Sequence, residues 1–130
     1  MSASSWQELH DRLAARLPQL TDGDVVILGS GRRYTQLMQR PTGLTLEAVS
    51  NSGLPPEQQL GADQENRLRE KGWQPPAKPR RLNWWQDVDR WPLHSRDAVR
   101  IAELMVSTLR DVYDVTEPAE VEESSFNAHR

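Results

Sequence analysis

Three short runs with β character lie so close together along the chain that their pairing has little choice. Val25–Leu28 is a β-branched run, GSGRR follows it, Tyr34–Gln39 alternates apolar with polar residues, and PTG leads into LTLEAVSNS. Segments rich in Gly and Pro are turn signals. Parallel neighbours need a crossover of about a dozen residues or more, so strands joined this tightly pair antiparallel. DVVILGSGRRYTQLMQR is therefore expected to form a hairpin, and LTLEAVSNS to extend it into a meander. By the two-residue period, Leu44, Leu46 and Ala48 point to one side of the third strand and Thr45, Glu47 and Val49 to the other.

Amphipathic helices flank the meander. In SSWQELHDRLAARLPQL, Ser5 and Glu8 have capping-box spacing. Trp6, Leu9, Leu13, Leu17 and Leu20 share one face, Glu8, Asp11, Arg12 and Arg16 take the other, and Pro18 with TDG ends the run. A second long helix is expected over SRDAVRIAELMVSTLRDVYDV. Ser95 is its N-cap, Asp97 lies in its first turn, and Ala98, Ile101, Ala102, Met105, Leu109, Val112 and Tyr113 form a buried stripe. Between meander and last helix, LPPEQQLGADQENRLREKGW reads as a connection and a short helix from about Ala62 to Lys71. Gly72 stands at its left-handed cap, and Leu68 is placed to meet Trp73. PPAKP is a stiff extended linker, and RLNWWQDV is a fourth strand on its aromatic content. After Pro118 the composition is acidic and poor in apolar residues. One domain over 1–115 and a disordered tail over 116–130 are the expectation.

The chain has 130 residues, 36% of them apolar, which allows one thin core. Four of its five tryptophans, Trp73, Trp84, Trp85 and Trp91, fall in GWQPPAKPRRLNWWQDVDRW. Such crowding either closes a small core or builds a contact surface. Adjacent strand residues face opposite sides, so one of Trp84 and Trp85 is expected inside and the other outward. Large outward aromatics mark partner surfaces. The candidate contact residues are Tyr34, Met38, Trp84 and Trp85, on a sheet face or strand edge.

Several functions are disfavoured by what the chain contains. There are no cysteines, hence no disulfides or thiolate nucleophiles. No apolar run reaches the ~20 residues of a membrane helix and no signal-peptide pattern opens the chain, so a cytoplasmic protein is expected. A net charge of −3 speaks against nucleic acid, although Lys78, Arg80 and Arg81 beside Trp84 and Trp85 resemble the charge-plus-stacking recipe for single strands. Of the 16 basic residues 14 are Arg, which fits a high-GC genome as well as any chemical need. GSGRRY lacks the third glycine and following helix of a phosphate loop, which makes it a hairpin turn. His10, His94 and His129 have no ligand-like spacing and read as surface residues. No strained nucleophile motif and no paired carboxylates in a pocket stand out. Neither a catalytic residue nor a cofactor is expected.

RRYTQLMQRPTGLTLEAVSN, LPPEQQLGADQENRLREKGWQPP, NWWQDVDRWP and the closing amphipathic helix, taken in order over about residues 5–113, resemble small actinobacterial domains of the type III secretion chaperone-like class. That class includes the YbjN-like proteins and is often called TY-Chap. The chain departs from the pattern at Ala62, where the family commonly carries a helix-capping Ser or Thr; Asp63 is the candidate replacement. The resemblance implies an α+β fold, commonly dimeric, without catalytic residues, that binds other polypeptides. The reading it favours is a chaperone- or adaptor-like domain for one partner protein, with a homodimer as a further expectation. The alternative is an immunity or antitoxin-type protein that neutralises a toxin by direct binding, for which an acidic surface would suit a basic target.

Overall fold

The computed structural model describes residues 3–130. In chain order it contains α1 (Trp6–Arg16), β1 (Asp24–Ser30), β2 (Arg33–Arg40), β3 (Gly43–Ala48), α2 (Ala62–Glu70), β4 (Trp84–Val88), α3 (Ser95–Asp111) and β5 (Glu122–Asn127), with short 3-10 turns between some of them. The five strands form one antiparallel sheet in the order β4-β3-β2-β1-β5. This is the α+β fold expected from the sequence, meander included.

Helices α1 and α3 pack on each other and on the same side of the sheet. Leu9, Leu13 and Leu17 meet Ile101, Ala102, Met105 and Leu109 in one core cluster with Val26, Leu28, Leu37, Leu44, Leu46 and Ala48. Full burial of a Leu or Ile side chain is worth about 1.5–3 kcal/mol, so this layer carries most of the stability. The α3 stripe read from the sequence is buried throughout, and Leu104, Val106, Ser107 and Thr108 widen it.

Local capping explains where the helices start and stop. Ser5 Oγ accepts from the Glu8 N–H at 3.0 Å, but the Glu8 carboxylate turns to the Ser4 N–H at 3.0 Å, so only half of the capping box forms. Neither Ala62 nor Asp63 caps α2. Gly61 does, with Gln64 Oε1 accepting its N–H at 3.0 Å. At the other end Gly72 has φ +98°, the Trp73 N–H donates to Leu68 O at 3.0 Å, and the Gly72 N–H donates to Arg69 O at 2.9 Å. These two bonds are the Schellman closure the sequence predicted. In α3 the N-cap is His94 and Ser95 is the first helical residue, one position from the expectation.

The tail differs from its expectation. Val121 is buried, and Glu122–Asn127 pairs with β1 in the register Val25↔Phe126, Ile27↔Ser124 and Gly29↔Glu122. Composition gave no sign of a strand because β5 buries almost nothing of its own. Its order comes from β1, whose outer N–H and C=O groups would otherwise be an open edge, and from Arg16, which donates to Glu123 Oε2 at 2.9 Å and Ser125 Oγ at 2.8 Å.

Candidate functional site: the uncovered face of the sheet

Both long helices lie on one side of the sheet, and among the described residues no layer covers the other side. Strand register fixes what that side presents. One row across the strands is Asp87, Thr45, Met38, Val25 and Phe126; the next is Trp85, Glu47, Gln36, Ile27 and Ser124. Tyr34 follows on β2, opposite Gly29. Among the described residues Met38, Leu82, Val99 and Phe126 are the exposed large apolar side chains, and two of them, Met38 at 37% and Phe126 at 56% exposure, meet here. With Val25, Thr45 and Glu47 they line a shallow groove of about 250 Å³. A monomer gains nothing by keeping such residues together in water, and an apolar groove with a polar rim is the usual form of a contact site.

Polar groups frame the groove. Gln36 Nε2 donates to Glu47 Oε1 at 2.6 Å, and Asn83 Nδ2 donates to the Tyr34 hydroxyl oxygen at 3.2 Å. Arg40 is held by Asp89 at 2.9 Å and by Leu44 O at 3.1 Å. Glu47 accepts from neutral amides and forms no ion pair among the described residues. The groove wall thus offers a carboxylate whose charge is not neutralised locally.

The four candidate contact residues separate. Tyr34, Met38 and Trp85 share the uncovered face. Trp84 does not: it pairs with Ala48 on the helix side, is 1% exposed, and carries the Arg69 guanidinium 5.2 Å from its ring centroid. Its place among the contact residues is corrected to the core. Trp85 is only half-buried but already has an internal partner. Arg81 stacks over its ring at 4.2 Å and pairs with Asp87 at 2.9 Å, while its Nε1 donates to Pro75 O at 3.1 Å. Of the two tryptophans in the charge-plus-stacking pattern, one is thus buried and the other stacked on Arg81. Phe126, the sole phenylalanine, was missed because it sits in the acidic tail. Only its isolation among Glu and Ser residues could have drawn attention to it.

The histidines are more engaged than their spacing implied. His10 has a side chain only 12% exposed, with Nδ1 3.0 Å from Asp11 Oδ1 and Nε2 3.1 Å from Val99 O, so it ties α1 to α3. His129 lies 3.5 Å from Asp22. Among the described residues no group of His, Cys, Asp or Glu is arranged to hold a metal ion, and no helix is long and apolar enough to cross a membrane.

The sequence profile described as "TY-Chap3: T3SS (YopN, CesT) and YbjN peptide-binding chaperone 3" matches residues 2–127. The chain belongs to this family of peptide-binding chaperone domains. No curated protein and no solved structure matches it.

Proposed function

From that family membership as premise, we propose that the chain is a non-enzymatic binder of a partner polypeptide and that the uncovered sheet face is where the partner docks. The observation that carries this reading is the groove between Met38 and Phe126, apolar at its floor through Val25 and rimmed by Glu47. An apolar side chain flanked by Lys or Arg fits it: the apolar group fills the groove and the cation meets the Glu47 carboxylate. Tyr34 and the stacked Trp85 extend the contact along the face. The family match runs over residues 2–127, a span that includes Phe126 as well as Met38. The toxin-neutralising alternative has no support from the family.

The test is selection of peptides from a random library on the full chain, with Met38→Asp in parallel. Enrichment of apolar-basic peptides that lose about thirty-fold in affinity on Met38→Asp, at unchanged thermal midpoint, supports the site; that loss corresponds to about 2 kcal/mol, the size of a contact hot spot. Peptides that bind both proteins equally would move the site elsewhere.

A further inference from the structure

The tail strand differs from the other four in what holds it. Five of the six β5 residues are exposed, and the sixth, Asn127, is only partly covered. Its sequence, EESSFN, consists of residues that mostly disfavour strands. Beyond the ladder to β1, its ties are the Arg16 contacts to Glu123 and Ser125, the Asn127 amide bonds to Asp22 O at 3.0 Å and Asp24 Oδ1 at 2.9 Å, and Phe126 lying over the groove. The last residue anchored in the core is Val121. Strand β1 beneath is the opposite kind of segment, Val25-Val26-Ile27-Leu28, and lies in the middle of the apolar layer. Take β5 away and β1 becomes an edge that pairs readily with any extended chain.

We infer that β5 is a self-strand occupying a peptide-acceptor edge on β1, and that an extended partner segment binds by replacing it. This deepens the proposed function and rests on its premise that the chain binds peptides. The register states what the incoming strand must carry. The residue opposite Leu28, now Glu123, faces Arg16; the residue opposite Val25, now Phe126, enters the groove beside Met38. A partner running antiparallel to β1 therefore presents an acidic residue and, three positions later, an aromatic one. Alternation along a strand puts these two on opposite faces, so one reads the helix side and the other the uncovered side. Backbone bonds supply affinity and the two side chains supply selection. Because the edge is occupied at rest, apparent affinity is reduced by the fraction of molecules in which β5 has detached.

The experiment uses the full chain and a fluorescent peptide with the sequence of residues 121–130 added in trans. The double variant Glu123→Ala/Phe126→Ala loosens β5 without touching a core position and should bind the peptide at least ~ten-fold more tightly than the unmodified chain. Introducing Arg16→Glu into that variant should reverse the preference, favouring a peptide in which Glu123 is replaced by Arg. Circular dichroism confirms that each variant is folded. Equal affinity of loosened and unmodified chains, or no reversal with Arg16→Glu, would overturn the inference. So would a loosened chain that takes up no peptide and instead forms dimers by light scattering, since the occupant would then be a second copy. Failure of the broader reading looks different: library peptides would bind neither the unmodified chain nor Met38→Asp, whereas failure of this inference leaves library binding to the unmodified chain intact while the loosened chain takes up the tail peptide no more tightly.

Discussion

Trp84 and Trp85 are neighbours in the chain and have opposite surroundings. Trp84 enters the layer between sheet and helices and belongs to the apolar core, with the Arg69 guanidinium 5.2 Å from its ring centroid. Trp85 stands on the uncovered face and is held by a guanidinium, a carbonyl and the edge bridge to Gln74. The same contrast separates the two faces of the whole sheet. On one side two helices supply the packing that makes the fold stable; on the other, the sheet keeps itself in place with hydrogen bonds and stacked charges and leaves its apolar groove free. A thin core does not require that both faces be sealed. It requires only that the sealed one be packed without gaps.

Substitutions at the tryptophans put the contrast under the greatest strain. Trp84→Ala should cost about 3–5 kcal/mol in urea denaturation, the range for emptying a large buried aromatic site. Trp85→Ala should cost about 1 kcal/mol, mainly the lost stacking with Arg81. Equal losses would mean that the two faces are energetically alike. Substitution by Phe sharpens the point. Trp84 Nε1 is buried without a hydrogen-bond partner among the described residues, so Trp84→Phe removes an unsatisfied donor and part of the lost volume is offset. Trp73 Nε1 donates to Thr108 Oγ1 at 3.0 Å, so Trp73→Phe should be the more damaging of the two Phe replacements by about 1 kcal/mol.

Gly43→Ala comes next. A Cβ there would stand 2.0 Å from Val88 O, a backbone atom of β4 that cannot swing aside. The clash should cost about 1–3 kcal/mol and loosen β4 from β3, read as faster hydrogen exchange at Gln86 and Val88 than at Leu37. Protection that stays uniform across the sheet would show that β4 yields as a body. Met38→Asp, by contrast, should leave stability within about 0.5 kcal/mol, because the residue is 37% exposed and stands on the face that the helices do not cover. A large loss there would show the uncovered face to be structural.

Much of this contrast was legible in the sequence, and the parts that were not share a cause. The meander, both long helices, the Gly72 closure and the inside–outside split of Trp84 and Trp85 follow from local periodicity and turn chemistry. Which tryptophan goes inside does not, because that depends on the register of β4 against β3. Strand β5 escaped for a related reason. A strand recruited by a neighbour's open edge needs no pattern of its own, and EESSFN has none. With β5 unseen, Phe126 could not be placed beside Met38, and half of the groove stayed hidden. Arg81 was visible as a charge beside two tryptophans, but its stacking on one of them depends on the return of the loop from Gln74.

The smallest expected effect concerns the polar clasp where α2 meets the end of α3. Asp111 is bound by Arg110 at 2.8 Å and by Lys71 at 3.3 Å, and Lys71 also donates to Ser107 at 3.1 Å. The hydrogen bond from Arg110, then the one from Lys71, holds the Asp111 carboxyl below its ordinary value of 3.8. A carboxylate whose pKa is depressed by folding stabilises the fold above the unfolded value, and that contribution is lost as pH falls through the lower folded one. Acidification from pH 5 should therefore erode the clasp only below about pH 4. In Asp111→Asn the stability should be lower at pH 6 but decline less steeply below about pH 4. Glu8 and Asp24 are also depressed, by hydrogen bonds from Ser4 and Thr21 respectively, and titrate in the same region. They are common to both proteins, so the difference between the two denaturation series isolates Asp111. The Asp111 side chain is 41% exposed, which screens the interaction and keeps the difference to a fraction of a kcal/mol. Parallel curves would show that the covered side owes nothing measurable to this charge and rests on packing alone.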